Sequence, residues 1–537
     1  MALTFRPPLV WIALWAAVVG VGLAVRPPLP VDETRYLAVA WDMWLEGQYL
    51  VPHLNGEPYS HKPPLLFWLM TAGWHVFGVN DWWPRLVAPL FGLGSLFLTA
   101  RLAHILWPDR PDIPETAPLL VLGSLFWAVF TTLTMFDMML AFFTLAALIA
   151  LVMAGRTGRW RGFVAAGIAI GLGVLAKGPA VLLHFLPVAL SAPLWLPYLS
   201  GRDGTQIRSW RRWFSGVAAA LGIAVMIGLA WAVPAATAGG EAYRDAIFWG
   251  QSAGRIVKSF AHGRPFWWYA AVIPVLVLPW LLWPPLWRGF RRLGGTMPDG
   301  GVRLCLIWIG TAFLVFSAVS GKQLHYLLPE FPALALLAGY VLAGDPETRP
   351  YDAWLPGGFL VIAGLLMFAA PFLPIPGRAG EMAAEIHAGW GSVIIAAGIF
   401  AGIARVPLLG ICVAAVGTVI AIYLAFSPIL AAQYDLAPIA KQIRAYEAAG
   451  KRTANFGKYH GQYHFLGRLR LPVPEIGQRA DDEAAFLAAH PDGYVVAYYR
   501  NVPDKAQPLF TFPFRKLTAV IWPAQTLIDH PGLGDRQ

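Results

Sequence analysis

Between Pro30 and Lys62 the chain places Asp32 and Glu33 side by side and Arg35 and Tyr36 just after them. The same stretch ends in Ser60-His61-Lys62-Pro63-Pro64. A carboxylate can take the proton of an attacking hydroxyl, and Lys or Arg can hold an anionic leaving group. Two adjacent acids let one cap a helix while the other stays available; for Asp32 alone, a cap and a base fit the spacing equally well. Further ionisable groups punctuate apolar runs: Asp137, Lys177, Arg255, Lys258, His262, Lys322, His325 and, beside it, Tyr326. Each has a plain structural explanation, since acids cap helices, lysines snorkel and histidines accept ordinary hydrogen bonds.

The elements that must position these groups are membrane helices. The chain is 57% hydrophobic and only 13% charged, about half the charge of a soluble domain. Apolar runs near 9–25, 85–106, 117–133, 138–154, 162–176, 179–198, 214–233, 266–287, 302–320, 327–343, 354–373, 388–404 and 406–426 predict about thirteen spans. Residues 64–78 are apolar but too short to cross, and are expected to lie in the interface. Apolar residues at 36, 39, 40, 43 and 44 predict a short amphipathic helix that begins at Asp32 and stops at Gly47.

Arginines at 156, 159 and 161, at 202–212 and at 288–303 mark cytoplasmic loops. The N-terminus is then inside and the segment after 426 outside. The net charge of +10 therefore speaks to orientation and not to nucleic-acid binding. Cys305 and Cys412 both lie in apolar runs, which leaves no disulfide framework. The expected organisation is a membrane domain over 1–426 with an outer loop at 26–84, followed by a small soluble α/β domain at 427–537. Helices are expected near 435–450 and 481–490, and strands at Tyr494–Tyr499 and Lys516–Ile521.

On this topology Asp32, Glu33, Arg35, His61, Lys62, Asp137, Lys177, Arg255, Lys258, His262, Lys322 and His325 share the outer face. Ionisable groups at membrane depth are costly and tend to be functional. The motifs also resemble a known family. DETRY with VPHLNGEPYSHKPPL, then GVLAKGP at 173–179, RPFWWY at 264–269 and SGKQLHYLLP at 320–329 are similar in order to bacterial aminoarabinose transferases. Those enzymes are related in turn to protein O-mannosyltransferases.

The resemblance implies a C-type glycosyltransferase fold of the inner membrane. It implies a polyprenyl-phosphate sugar as donor and an inverting transfer on the periplasmic face to lipid A, another envelope glycan or protein. It implies Asp32 as base, with Asp137 assisting and Glu33 beside it. Lys62, Arg255, Arg35, Tyr326 and Lys322 would grip the donor phosphate, and Tyr36, Lys177 and His325 would line the rest of the site. Relatives commonly carry Glu where His61 stands, and some bind zinc through that Glu and a histidine matching His262. A His61/His262 zinc pair is thus the metal reading; otherwise no cofactor is required. The competing function is a transporter or flippase of a lipid-linked sugar, which would place its charges near the bilayer midplane in paired halves.

Overall fold

The computed structural model describes residues 7–199, 209–250, 263–293, 299–343, 349–479, 481–531 and 533. Two compact units account for the chain. One comprises Met1–Val25, Ser60–Leu66 and Asp81–Ala425; the other comprises Arg26–Tyr59, Phe67–Asn80 and Phe426–Gln537.

The first unit is a bundle of apolar helices. Among the described residues nine helices are long and apolar enough to cross a membrane, and up to eleven cross if two bent pairs each count as one span. The chain is a multi-pass membrane protein. The two spans expected beyond these are broken. Residues near 117–133 form helices Asp112–Leu122 and Leu125–Phe130, parted at Gly123-Ser124. Residues near 266–287 form Trp268–Leu276, a turn at Trp280–Leu282 and Pro284–Leu293, interrupted by Pro279 and Pro284. Proline removes a backbone donor and clashes with the preceding turn, so an apolar run alone overstated continuity there.

Helix packing in this unit relies on small residues, which let backbones approach where no hydrophobic force drives association. Helix Trp354–Ala369 meets helix Gly389–Ile403 through glycines on both sides. A Cβ on Gly398 would lie 2.5 Å from the carbonyl oxygen of Gly357, and one on Gly357 would lie 2.5 Å from that of Gly398.

In the second unit, helix Asp32–Glu46 is followed by a hairpin of β1 (His53–Leu54) and β2 (Glu57–Pro58). Five more strands form a sheet: β3 (Thr453–Phe456), β4 (Glu475–Ile476), β5 (Tyr494–Tyr499), β6 (Phe510–Phe514) and β7 (Leu517–Pro523), in the order β4-β3-β5-β7-β6. β3 runs parallel to β4 and β5, and β7 runs antiparallel to β5 and β6. Strand side chains alternate between faces. Val496 and Ile521 accordingly pack with Ile439 and Ile443 of helix Ala437–Ala448. Val495 and Trp522 pack on the other side with Phe486 and Leu527, from helices Asp482–Ala489 and Ala524–Asp529.

The same unit ties residues 26–59 and 67–80 to this sheet domain. The indole of Trp41 donates to the carbonyl oxygen of Leu469 (2.7 Å), and Trp74 stacks on Phe465 at 5.3 Å between centroids. Asn55 and Val473 exchange two hydrogen bonds, of 2.9 and 2.7 Å. Helix Leu65–Phe77 has 13 residues, short of a span as its sequence implied.

Candidate active site

Within the membrane unit, three separate segments bring basic side chains to one acid. Asp137 is the first residue of helix Asp137–Thr157, and its side chain is 2% exposed. The ammonium of Lys177, at the end of helix Trp160–Lys177, donates to its carboxylate. Gly178 follows at φ +70°, a conformation open to a residue without Cβ, and ends the helix directly behind that lysine. His325 places Nε2 3.9 Å from the same carboxylate oxygen. Lys62 lies close enough for its charge to be felt at Asp137, with its ammonium 5.5 Å from the Phe136 ring. Tyr326 completes the group, its ring 5.1 Å from the Lys177 ammonium and 5.1 Å from the His325 ring.

Asp137 is therefore held by the Lys177 ammonium with His325 beside it, and it caps no helix, since its helix makes no side-chain cap bond. Lys322 is used differently. Its ammonium donates to the carbonyl oxygens of Val319 and Arg264 and fastens the strand-like contact between Gly263 and Gly321. His61 is exposed. Arg255, Lys258 and His262 lie outside the described residues. Among those described, no three His, Cys, Asp or Glu side chains gather as a metal's donors would.

In the second unit the adjacent acids separate in role. Glu33 is buried, pairs with the Arg26 guanidinium through both oxygens and accepts the Leu29 N–H at 2.9 Å. Asp32 is 55% exposed and pairs with Arg35 one turn along. The helix start has no side-chain cap bond, so the Asp32 carboxylate is not spent there. Burial opposes the charge of Arg35, but neighbouring Tyr59, Asp32 and Tyr36 raise its pKa overall. Tyr36 is buried beneath it, its ring 5.7 Å from the guanidinium carbon.

Two basic residues that the sequence did not single out join this group. His460, in the loop after β3, lies within electrostatic reach of Arg35, Asp32 and Lys458 of the same loop. Burial first, then Arg35 and Lys458, hold the His460 imidazole below its usual range. The run of Tyr and His over 459–464 was the available signal. Deeper in the unit, burial pushes the Asp42 carboxyl up to about 7, although Asn55 and Gly56 donate backbone N–H groups to it; Glu46 adds to the rise.

Residues 32–238 match the family described as dolichyl-phosphate-mannose-protein mannosyltransferase. The undecaprenyl phosphate-alpha-4-amino-4-deoxy-L-arabinose arabinosyl transferase of Edwardsiella ictaluri is 30% identical over 319 residues. The resemblance read from the motifs holds. That match covers 58% of this chain and 55% of the arabinosyl transferase, so it spans little more than half of that relative's length. The enzyme of the same name from Pseudomonas aeruginosa PAO1 is 30% identical over 316 residues, with the same coverage.

The crystal structure of ArnT from Cupriavidus metallidurans bound to undecaprenyl phosphate superposes with a TM-score of 0.74. It covers 98% of this chain and 99% of ArnT at 19% identity. The likeness to ArnT is thus one of fold, and the fold extends over the whole chain, well beyond the region of clear sequence similarity. It is the C-type glycosyltransferase architecture that the motifs implied, with a small sheet domain at the C-terminal end.

Proposed function

We propose that this chain is a membrane glycosyltransferase of the bacterial inner membrane. It moves a sugar from a polyprenyl-phosphate donor to an acceptor on the periplasmic face, either lipid A or another envelope glycan. The observation that carries the reading is the convergence of Lys62, Lys177 and His325, from three separate segments, on the buried Asp137, with Tyr326 among them. The arabinosyl transferase relatives support the donor class by their name.

In the reaction the acceptor oxygen forms a bond to the anomeric carbon as the bond from that carbon to the phosphate oxygen breaks. The electron pair leaves with the phosphate, so positive charge beside it lowers the barrier. Lys62, Arg255 and Arg35 supply that charge and Tyr326 a hydroxyl donor; a guanidinium can engage two phosphate oxygens where an ammonium acts as a point charge. Asp32 takes the proton of a hydroxyl acceptor, or positions an acceptor that is already an ionised phosphate. Asp137 holds Lys177 and His325 in place. The scheme draws its positive charge from side chains and requires no metal.

Mass spectrometry of envelope glycolipids from cells with and without the gene tests the reading. Loss of one sugar-bearing species, restored by the wild-type gene, is expected. Complementation by Lys62→Ala should fall about a hundred- to a thousandfold, the usual effect of removing one electrostatic donor. Identical glycolipids in both strains would sink the proposal. Orientation has its own test, because a periplasmic reporter fused after residue 430 should be active and a cytoplasmic one silent.

A further inference from the structure

The membrane unit buries a second pair of ionisable side chains behind the cluster just described. His184, on helix Ala180–Leu190, hydrogen-bonds through Nδ1 to Oε1 of Glu330, and the two residues are 1% and 3% exposed. Neither Nε2 of His184 nor Oε2 of Glu330 has a hydrogen-bond partner among the described residues. An ion pair buried this way is weak evidence for stability, because apolar replacements of similar volume are often neutral or better. Ionisable groups at membrane depth call for a functional account.

Their place in the chain supplies one. Glu330 is the last residue of the tight turn-helix Leu324–Glu330, which carries His325 and Tyr326. The preceding end of that segment is also tied down. The Tyr269 hydroxyl donates to the Gln323 carbonyl oxygen at 2.9 Å, and the Lys322 ammonium is fastened to two backbone carbonyls. Between the ties, His325 reaches Asp137 and Tyr326 receives the Lys177 ammonium on its ring. The His184 ring also packs on Phe316 (5.2 Å), and Phe316 on Tyr326 (6.0 Å), so a second line of contact leads from the pair to the same tyrosine.

We propose that His184 and Glu330 are positioning residues that clamp the Leu324–Glu330 segment, so that His325 and Tyr326 hold their register against Asp137 and Lys177. Neither touches substrate; both act through the segment they fix. The inference rests on the proposed transferase reading for its kinetic arm alone.

The test compares Glu330→Ala, Glu330→Gln and the apolar double variant His184→Leu/Glu330→Leu in detergent-solubilised full-length protein. Hydrogen–deuterium exchange over 323–330 is the readout that needs no substrate. It should rise in Glu330→Ala and in the double variant and stay near wild type in Glu330→Gln, whose amide oxygen still accepts from the His184 ring. Turnover with undecaprenyl phosphate-4-amino-4-deoxy-L-arabinose should follow the same order, falling about a hundredfold in the first two through kcat, the scale expected of a misplacement of about 1 Å. The KM for the donor should change less. Should the double variant fail to fold, the Ala-against-Gln comparison decides. Unchanged exchange in Glu330→Ala, or equal losses in the Ala and Gln variants, overturns the clamp. If wild type transfers nothing from this donor while exchange behaves as stated, the choice of donor or the transferase reading fails and the clamp stands.

Discussion

Replacing Lys177 by Met should expose how far the membrane unit depends on a balanced charge at Asp137. The carboxylate is 2% exposed and its ammonium partner 12%, so the near-zero worth of solvated pairs does not apply. Removing one partner of a buried pair typically costs about 3–5 kcal/mol, because the other charge is left uncompensated. His325 limits the loss. At 3.9 Å, a protonated imidazole attracts the carboxylate by about 4 kcal/mol at an effective dielectric of about 20. Lys177→Met should therefore lower the thermal transition of the solubilised protein clearly but not abolish folding. Adding Asp137→Asn removes the orphaned charge and should restore most of the lost stability while leaving turnover low. Tryptophan fluorescence during thermal unfolding reads the first quantity, and donor turnover the second. A double variant no more stable than Lys177→Met would show that the two side chains are not energetically coupled, and the reasoning would fail.

Asp32→Asn should leave the thermal transition within about 1 kcal/mol of wild type, since an exposed pair with Arg35 is the contact at stake. Turnover to a hydroxyl acceptor should fall about a hundred- to ten-thousandfold, and normal turnover would remove Asp32 as base. The folded Asp42 pKa of about 7 stands above its ordinary 3.8, so this group favours folding below about pH 4 and loses that contribution as pH rises through 7. The full difference is about 4 kcal/mol. Asp42→Asn should thus protect the 53–58 amides from exchange better than wild type at pH 8 but not at pH 4, and a poorer showing at pH 8 would refute it. Gly398→Val drives side-chain carbons into the Gly357 carbonyl and should cost about 1–3 kcal/mol by overpacking. Gly222→Ala, which meets nothing within 4 Å, should cost nothing, and equal losses in the two would dismiss the close-packed interface.

Much of the fold was legible because membrane helices announce themselves by composition. Asp137–Thr157 is apolar all round, and its bounds follow from the flanking acid and Gly158. The helix Asp32–Glu46 was legible from its period and its stop at Gly47. Strands β3 and β4 were not, because they are only four and two residues long and are defined by their partners in the sheet. The site was legible as a set of residue types but not in its pairings. Nothing local distinguishes Asp32 from Glu33; the difference comes from Arg26, which turns back onto Glu33 and leaves Asp32 outward. Lys322 and Lys62 likewise read alike as outer-loop lysines suited to the donor phosphate, yet backbone carbonyls capture one while the other lies against Phe136.

The bond from Trp41 to Leu469 joins residues 428 positions apart. At synthesis rates of about 5–20 residues per second, the helix that carries Asp32 waits about 20–90 seconds for the strands and loops it packs on. During that interval Tyr36 can already meet Phe67 and Trp41 can meet Trp74, but Trp41 lacks Leu469 and Phe465, and Arg35 and Asp32 lack His460. The chain thus has a built-in order of assembly. Its membrane helices can insert one after another as they emerge, but the helix that carries Asp32 gains its Leu469 bond and its His460 neighbour only once the chain has passed residue 469. A nascent chain can occupy the bilayer before the unit that carries Asp32 is finished.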